Sequence, residues 1–380
     1  MGERRKSNQL LWGILLLAQV AIAQDPYIFS NDPYSGISSV GVSPTQPFLN
    51  PNSWDVNIFS ENIFFQNDYG YLSKTSLFGL IKGETQEVDL ENNITGENTK
   101  RVFDYYNKDQ FGYHFSSDLM GPSASFNFSI GERGFSAGLF SRLRTQTSAN
   151  DIDNYLQYIN QDIEEPVIYN MNPFKINFMN WTEIGLNLAT EIFPNSSFQW
   201  IVGANIKYAM GHDAFVVNNK SNAVLRREYE EDLENPDEPQ KNLFTSDFDI
   251  DVSYATGYNF ETDSYEYKSQ GSGIGLDLGI SMVNYDGSDD YDFKMSANLL
   301  DIGVVKFDKG FVHNFTGDNY QYTNNPNFED IEFESPEQIA QIISEELYGN
   351  PNQSLISNEF KVGLPTSLHL NASKKMRENQ

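Results

Sequence analysis

The chain has 380 residues, 21% of them charged and none of them cysteine, with 53 acidic against 25 basic side chains and a net charge of −28. This excludes disulfide scaffolds and Cys-ligated metal centres, and it excludes a phosphate-neutralising surface, so no nucleic-acid partner is expected. A mean hydropathy of −0.50 also leaves no room for the repeated apolar runs of about 20 residues that a helical membrane protein needs.

The first segment reads as an export signal. Arg4, Arg5 and Lys6 precede an apolar run from Leu10 to Ala23 that closes on Ala21, Ile22 and Ala23, the charged, apolar and small-residue order of a secretory signal peptide. A run of about 14 residues makes ~21 Å of helix, short of a bilayer core of roughly 30 Å. Removal of residues 1–23, with cleavage between Ala23 and Gln24, is therefore expected rather than a retained anchor. No cysteine follows that could carry a lipid. Residues 24–52 form an N-terminal extension, and residues 53–380 read as one domain with no Gly/Ser/Pro-rich linker.

Beyond the extension the signal is alternation at period 2, the mark of strands with two unlike faces. It is weak from Trp54 to Lys82. It becomes clear at Ala124, Phe126, Phe128 and Ile130, which turn through Gly131 to Gly134 into Phe135, Ala137 and Leu139. Next, Ile184, Leu186, Leu188 and Ile192 alternate with Glu183, Gly185, Asn187, Ala189 and Glu191. After a turn at residues 193–197, the row Phe198, Trp200, Val202, Ala204, Ile206, Tyr208 and Met210 alternates with Gln199, Ile201, Gly203, Asn205, Lys207 and Ala209. Pairing Ile192 with Phe198 joins oily positions throughout and sets Glu183 opposite Lys207, a cross-strand ion pair worth about 0.2–1 kcal/mol.

Further strands run from Phe248 to Tyr254, from Ile274 to Met282 with Asp277 on the polar face, from Tyr291 to Leu299, and less clearly from Leu364 to Ala372. Residues 226–240 read as a solvated acidic loop and Asp286 to Asp292 as a turn, since the latter lacks EF-hand spacing. Ser335 caps an expected helix with Pro336 at its first position and Ile339, Ile342, Ile343 and Leu347 on one face.

Such strands fit either a soluble sandwich, with the oily face inward, or a membrane barrel, with the oily face toward lipid and a polar lumen. Run length favours the barrel. Globular strands cluster near 5–6 residues, whereas tilted membrane strands need about 9–11. Charges such as Glu183, Lys207, Asp277 and Lys294 would be costly in a dry core unless paired. The fold class expected is all-β, an antiparallel transmembrane β-barrel. About ten strands are evident, and residues 374–380 do not make a closing strand. The barrel is therefore expected to be incomplete, or else to use strands within 83–120 and 305–330.

No catalytic set emerges. His114, His212, His313 and His369 stand apart without metal-ligand spacing, and there is no nucleophile elbow or phosphate loop. The glycines at 271, 273 and 275 open a strand rather than a helix, which removes the dinucleotide reading. They are expected to let the lumenal wall approach a plug or loop. No enzyme activity, metal or cofactor is expected.

Taken in order, the segments at 181–192, 201–211, 271–280, 296–307 and 364–373 resemble an uncharacterised family of Bacteroidota outer-membrane barrels. That family is similar in fold to FadL-type fatty-acid transporters and to PorV of type IX secretion. The resemblance implies about 14 strands in a complete barrel, residues 24–52 as a lumenal plug, and outer-membrane lipid as the surroundings. The function expected is a passive channel or binding protein for a small hydrophobic ligand, with Glu183, Lys207, Asn187, Asn205 and Asp277 as lumenal candidates, or as braces that merely hold the wall. The alternatives are a non-transporting scaffold for secretion-system or surface proteins, and a secreted glycan-binding sandwich.

Overall fold

A computed structural model describes residues 30–72, 103–106, 108–153, 167–193, 198–230, 240–260, 262–285, 291–317, 320–323 and 335–375. The signal segment, with Ala23 and Gln24, lies outside the described residues, as do residues 73–102, most of the turn at 193–197 and the turn at 286–290. Among the described residues no helix is long and apolar enough to cross a membrane.

One sheet dominates, and its fourteen strand segments are labelled here in chain order. They are β1 (Trp54–Asn57), β2 (Ser60–Asn67), β3 (Gln110–Met120), β4 (Ser123–Ile130), β5 (Arg133–Asp153), β6 (Phe174–Glu191) and β7 (Gln199–Asn219). There follow β8 (Phe248–Ala255), β9 (Gly271–Tyr285), β10 (Tyr291–Phe307), β11 (Phe311–Gly317), β12 (Leu355–Ser357), β13 (Phe360–Gly363) and β14 (Ser367–Lys374). Every pairing is antiparallel. The order across the lower part is β1, β4, β5, β6, β7, β9, β10, β14, while higher up β3 pairs with β5 and β2 with β3, and β8, β11 and β12 continue outward from β7. The edges do not pair with one another, so the described residues form an open antiparallel sheet, all-β as expected but not closed into a barrel.

The central strands are longer than their oily alternation. β6 begins at Phe174, ten residues before Ile184, and β5 runs on to Asp153. The same walls continue past short breaks into a second, four-stranded sheet of residues 167–171, 223–230, 240–246 and 320–323, in the order of β6, β7, β8 and β11. The loop expected at 226–240 is thus strand up to Glu230 and again from Gln240. The residues of these extensions carry no sustained period-2 alternation, which is why periodicity missed them.

The two faces of the main sheet are inverted relative to a soluble protein. Leu188, Ile206, Ile274 and Leu370 are 51, 57, 69 and 75% exposed, whereas Glu183, Asn187, Asn205 and Asp277, on the opposite face, are at 0%. The exposed oily area spans all the rows, from Trp54, Phe126 and Leu139 through Ile184 and Leu278 to Leu368.

Residues 30–50 lie on the polar face. They comprise a 3-10 turn at Pro33–Ser39, whose Asp32 cap accepts from the Tyr34 amide, and a helical turn at Gln46–Leu49. This short piece reaches both ends of the sheet. Its Ile37 amide donates to Asp55 of β1 at 2.7 Å, and Asn31 accepts from Asn371 of β14 at 2.8 Å. Between those ends it meets Asn187 of β6 at Pro44 O (2.8 Å), Asn205 of β7 at Val40 O (2.9 Å), Ser281 of β9 at Thr45 (2.6 Å), and Lys294 of β10 at Gln46 (2.6 Å). A segment of that length can touch both margins only if the sheet curls around it. Gly203 permits the approach: a Cβ there would stand 2.4 Å from Pro44 O.

The helix expected from Ser335 is α1 (Pro336–Tyr348), with Ser335 accepting from the Gln338 amide at 3.1 Å and Gly349 closing it at φ 67°. It packs at the outer end of β11, where the Tyr348 hydroxyl accepts from the Thr316 amide. Its deepest residues are Ala340 and Ser344, with the four expected apolar residues half-buried around them.

Candidate functional site

The polar face carries a continuous ion network at mid-height. On β5, Ser136, Phe140, Arg142 and Arg144 share one face, because a strand places every second residue together. β5 sets Arg142 opposite Glu183 and Arg144 opposite Trp181. Arg142 donates through Nε to Asp118 of β3 at 2.9 Å and through Nη1 to Glu183 at 3.4 Å. Arg144 Nη1 reaches Glu183 at 3.1 Å and Asp301 at 2.8 Å, and its guanidinium lies 4.8 Å from the centre of the Trp181 ring. The Trp181 indole N–H donates to the same Glu183 carboxylate at 2.7 Å.

Lys207 holds the other half. Its ammonium is fully buried and donates to Asp277 at 2.7 Å and to Asp301. Asn205 donates to Asp277 at 2.8 Å, and Asn187 to Asn205 at 2.7 Å. Three cations (Arg142, Arg144, Lys207) thus face four carboxylates (Asp118, Glu183, Asp277, Asp301), all hydrogen-bonded. This is the condition under which buried charge is tolerated.

The expected Glu183–Lys207 pair is not formed. β6 and β7 pair two residues away from the register read from the pattern, with Glu183 opposite Ala209 and Lys207 opposite Gly185. A slip of two leaves every side chain on its own face, so the oily rows match equally well in either register. The difference lies on the polar side. Lys207 now runs between Gly185 and Gly275, its Cε 3.0 Å from where a Cβ of Gly275 would be, and this clearance leads it to Asp277. The other expected glycine contact falls at Gly279, whose Cβ would sit 3.1 Å from Pro44; Gly271 and Gly273 abut the backbone of β10 instead.

Asp301 was not legible. Its place in the alternation of β10 puts it with Leu299 on the oily face. A bulge opposite Asp277 turns it inward at φ 56°, with its amide donating to Asp277 at 2.7 Å. Bulges re-aim side chains in this way, and Asp is among the few residues that accept such a φ. Arg142 and Arg144, by contrast, could have been found by carrying the count from Ser136 five residues past Leu139.

All five sequence candidates therefore sit together on the buried face, but none lines the open space. The cavity there, of about 520 Å³, is bounded by Asp118, Arg142, Arg144, Gln146, Trp181 and Asp301, by Ser38 to Val42 of the N-terminal segment, and by residues of both sheet margins, Ser60 to Asn62 and Ser367 with His369. Glu183, Asn187, Asn205, Lys207 and Asp277 lie behind it as braces. Lys294, lower in the sheet, has no carboxylate among the described residues. It donates to Ser30 O and Gln46 and lies 5.2 Å from the centre of the Tyr291 ring. Among the described residues no three His, Cys, Asp or Glu side chains are grouped to hold a metal ion.

Residues 47–380 match the profile of a family of unknown function, DUF5723. Comparison with curated proteins and with solved structures found no match to either.

Proposed function

The chain belongs to the DUF5723 family of unknown function, and from that premise we propose that it is an exported, integral outer-membrane β-barrel protein whose curled wall surrounds a small solute chamber. The observation that carries this reading is the inversion of the sheet: oily rows outward across the whole face, buried and hydrogen-bonded charges inward. A soluble protein does not leave so large a contiguous apolar surface in water. From Ile184 to Ile192, about nine residues at roughly 3.3 Å each and a tilt near 40° climb ~23 Å, close to the ~25 Å apolar band of such barrels.

Within this reading residues 30–50 act as a plug, since they bridge strands from one margin to the other. The likeness to FadL-type transporters belongs to the same proposal, as does a Bacteroidota origin. The chamber's lining joins charged and hydroxyl groups (Asp118, Arg142, Arg144, Asp301 and several serines) to apolar Met120, Trp181 and Leu300, which fits a small amphipathic ligand and keeps the expected small-ligand reading. A second reading, a scaffold for secretion-system or surface proteins, draws support from the four-stranded extension that stands beyond the oily band.

The test is topological first. Spin labels at Leu188 and Val202 should be reached by lipid-dissolved oxygen, and the protein should resist alkaline carbonate extraction. Labels shielded inside protein, with release into the supernatant, would return the chain to the secreted sandwich. Solute flux into vesicles then separates chamber from scaffold.

A further inference from the structure

The oily rows of β6 and β7 run to Ile184 and to Met210, which pairs with Thr182. Polar positions then interrupt them, Thr182 and next Asn180 beside Asp213, where the register of β7 shifts between Gly211 and Asp213, before Phe178 and its partner Phe215 turn apolar again. At this height β8 and β9 part company as partners of β7, and the chain between them, residues 256–270, leaves the wall as a small hairpin pairing Tyr258 with Tyr265.

The hairpin is tied back onto the outward face. His212 lies with Nδ1 2.9 Å from Lys268 O and Nε2 2.9 Å from Thr182 Oγ1, and that hydroxyl is 2.5 Å from the Tyr267 hydroxyl. The His212 and Tyr267 rings stack with centres 4.1 Å apart. Asp213 accepts from Thr256 Oγ1 at 2.8 Å, the Gly257 amide at 3.0 Å and the Tyr265 hydroxyl at 2.6 Å. So anchored, the hairpin presents Phe260, Tyr265 and Tyr267 at 40, 45 and 60% exposure, beside the charged pair Glu266 and Lys268.

We infer that this hairpin is a membrane-interface anchor, seating its aromatic rings in the lipid headgroup layer at the height where the long apolar rows are interrupted. The surface is continuous with the oily rows, and it combines what that layer selects: flat rings with one polar end, and charges that reach water. Glu191 and Gln199, the facing ends of β6 and β7, lie at the opposite end of the band, with seven residues of chain, 192–198, between them. Because barrel strands are joined by short turns on the periplasmic side, the hairpin belongs to the outward-facing leaflet. The inference rests on the wall facing lipid, and its test keeps the two apart.

Since the chain has no cysteine, single nitroxide labels can be placed in the full-length protein refolded into phosphatidylcholine vesicles. Phe260→Cys, Leu188→Cys and the solvent-exposed Asn352→Cys are compared by accessibility to lipid-soluble oxygen and to a water-soluble nickel chelate. The label at 260 should report a depth at headgroup level, between the other two. Adding Asp213→Ala, which removes the tie to Tyr265 and Thr256, should shift it to the aqueous value while the label at 188 stays in lipid. A label at 260 as aqueous as that at 352, with 188 in lipid, overturns the anchor and leaves the wall reading standing. A label at 188 outside lipid overturns both.

Discussion

Replacing Lys207 by methionine tests the register and the dryness of the interior together. The ammonium is fully buried between Asp277 at 2.7 Å and Asp301. Without it Asp301 keeps Arg144, but Asp277 keeps only the Asn205 amide and the Asp301 backbone N–H. Leaving a buried carboxylate without its cation costs about 3–5 kcal/mol. Reversible urea unfolding in vesicles, followed by the emission of Trp181 under the Arg144 guanidinium, would read that loss. A double-mutant cycle then assigns the partner. Lys207→Met with Asp277→Asn should couple by about 2–3 kcal/mol, and with Glu183→Gln by about 1 kcal/mol or less, because contact decides the size of such terms. The reverse ranking would restore the register in which Glu183 faces Lys207. A loss of under ~1 kcal/mol for Lys207→Met would mean a hydrated network of the kind found at protein surfaces, and the chamber's walls would have to be redrawn.

Leu188→Arg, at the middle of the oily face, should cost about 2–4 kcal/mol of folding free energy in vesicles; an unchanged unfolding midpoint would argue against lipid at that face. Gly203→Val puts side-chain atoms where a Cβ alone stands 2.4 Å from Pro44 O. It should expel residues 30–50 to protease while the strand signal in circular dichroism persists, and protection equal to wild type would count against the packing of the segment. At the top of β7, the hydrogen bonds that Lys220 donates to Asp251 and to Asp249 raise its pKa. A base held above its unfolded value near 10.4 stabilises fully below that pH and loses the contribution as pH rises through the folded value. Because the pair is 39% exposed on the lysine side, solvent screening limits the effect to a few tenths of a kcal/mol. Lys220→Met should remove that alkaline step from a stability-versus-pH curve, and a step unchanged in the variant would assign it elsewhere.

The legible part of the site and the illegible part differ in range. That Glu183, Asn187, Asn205, Lys207 and Asp277 share a buried face followed from counting by twos. So did the hairpin of β9 with β10, and the cap and start of α1. The ends of β5 and β6 did not: the outer third of β5 carries no oily alternation to count, and the short row Phe174, Ile176, Phe178 of β6 is cut off from Ile184 by Asn180 and Thr182. Asp118 belongs to a strand, β3, that was assigned only as a region where strands had been missed. Asp301 was hidden by a single extra residue that reverses the parity of everything around it.

By itself, the order of residues determined which side chains lie on which face, because alternation in a strand is local and needs no partner. Which of those side chains meet was decided only when the strands came together. A shift of two residues costs the pattern nothing, yet it exchanges Glu183 for Asp277 as the partner of Lys207, and that choice belongs to the packing of β5, β9 and residues 30–50 against the same wall.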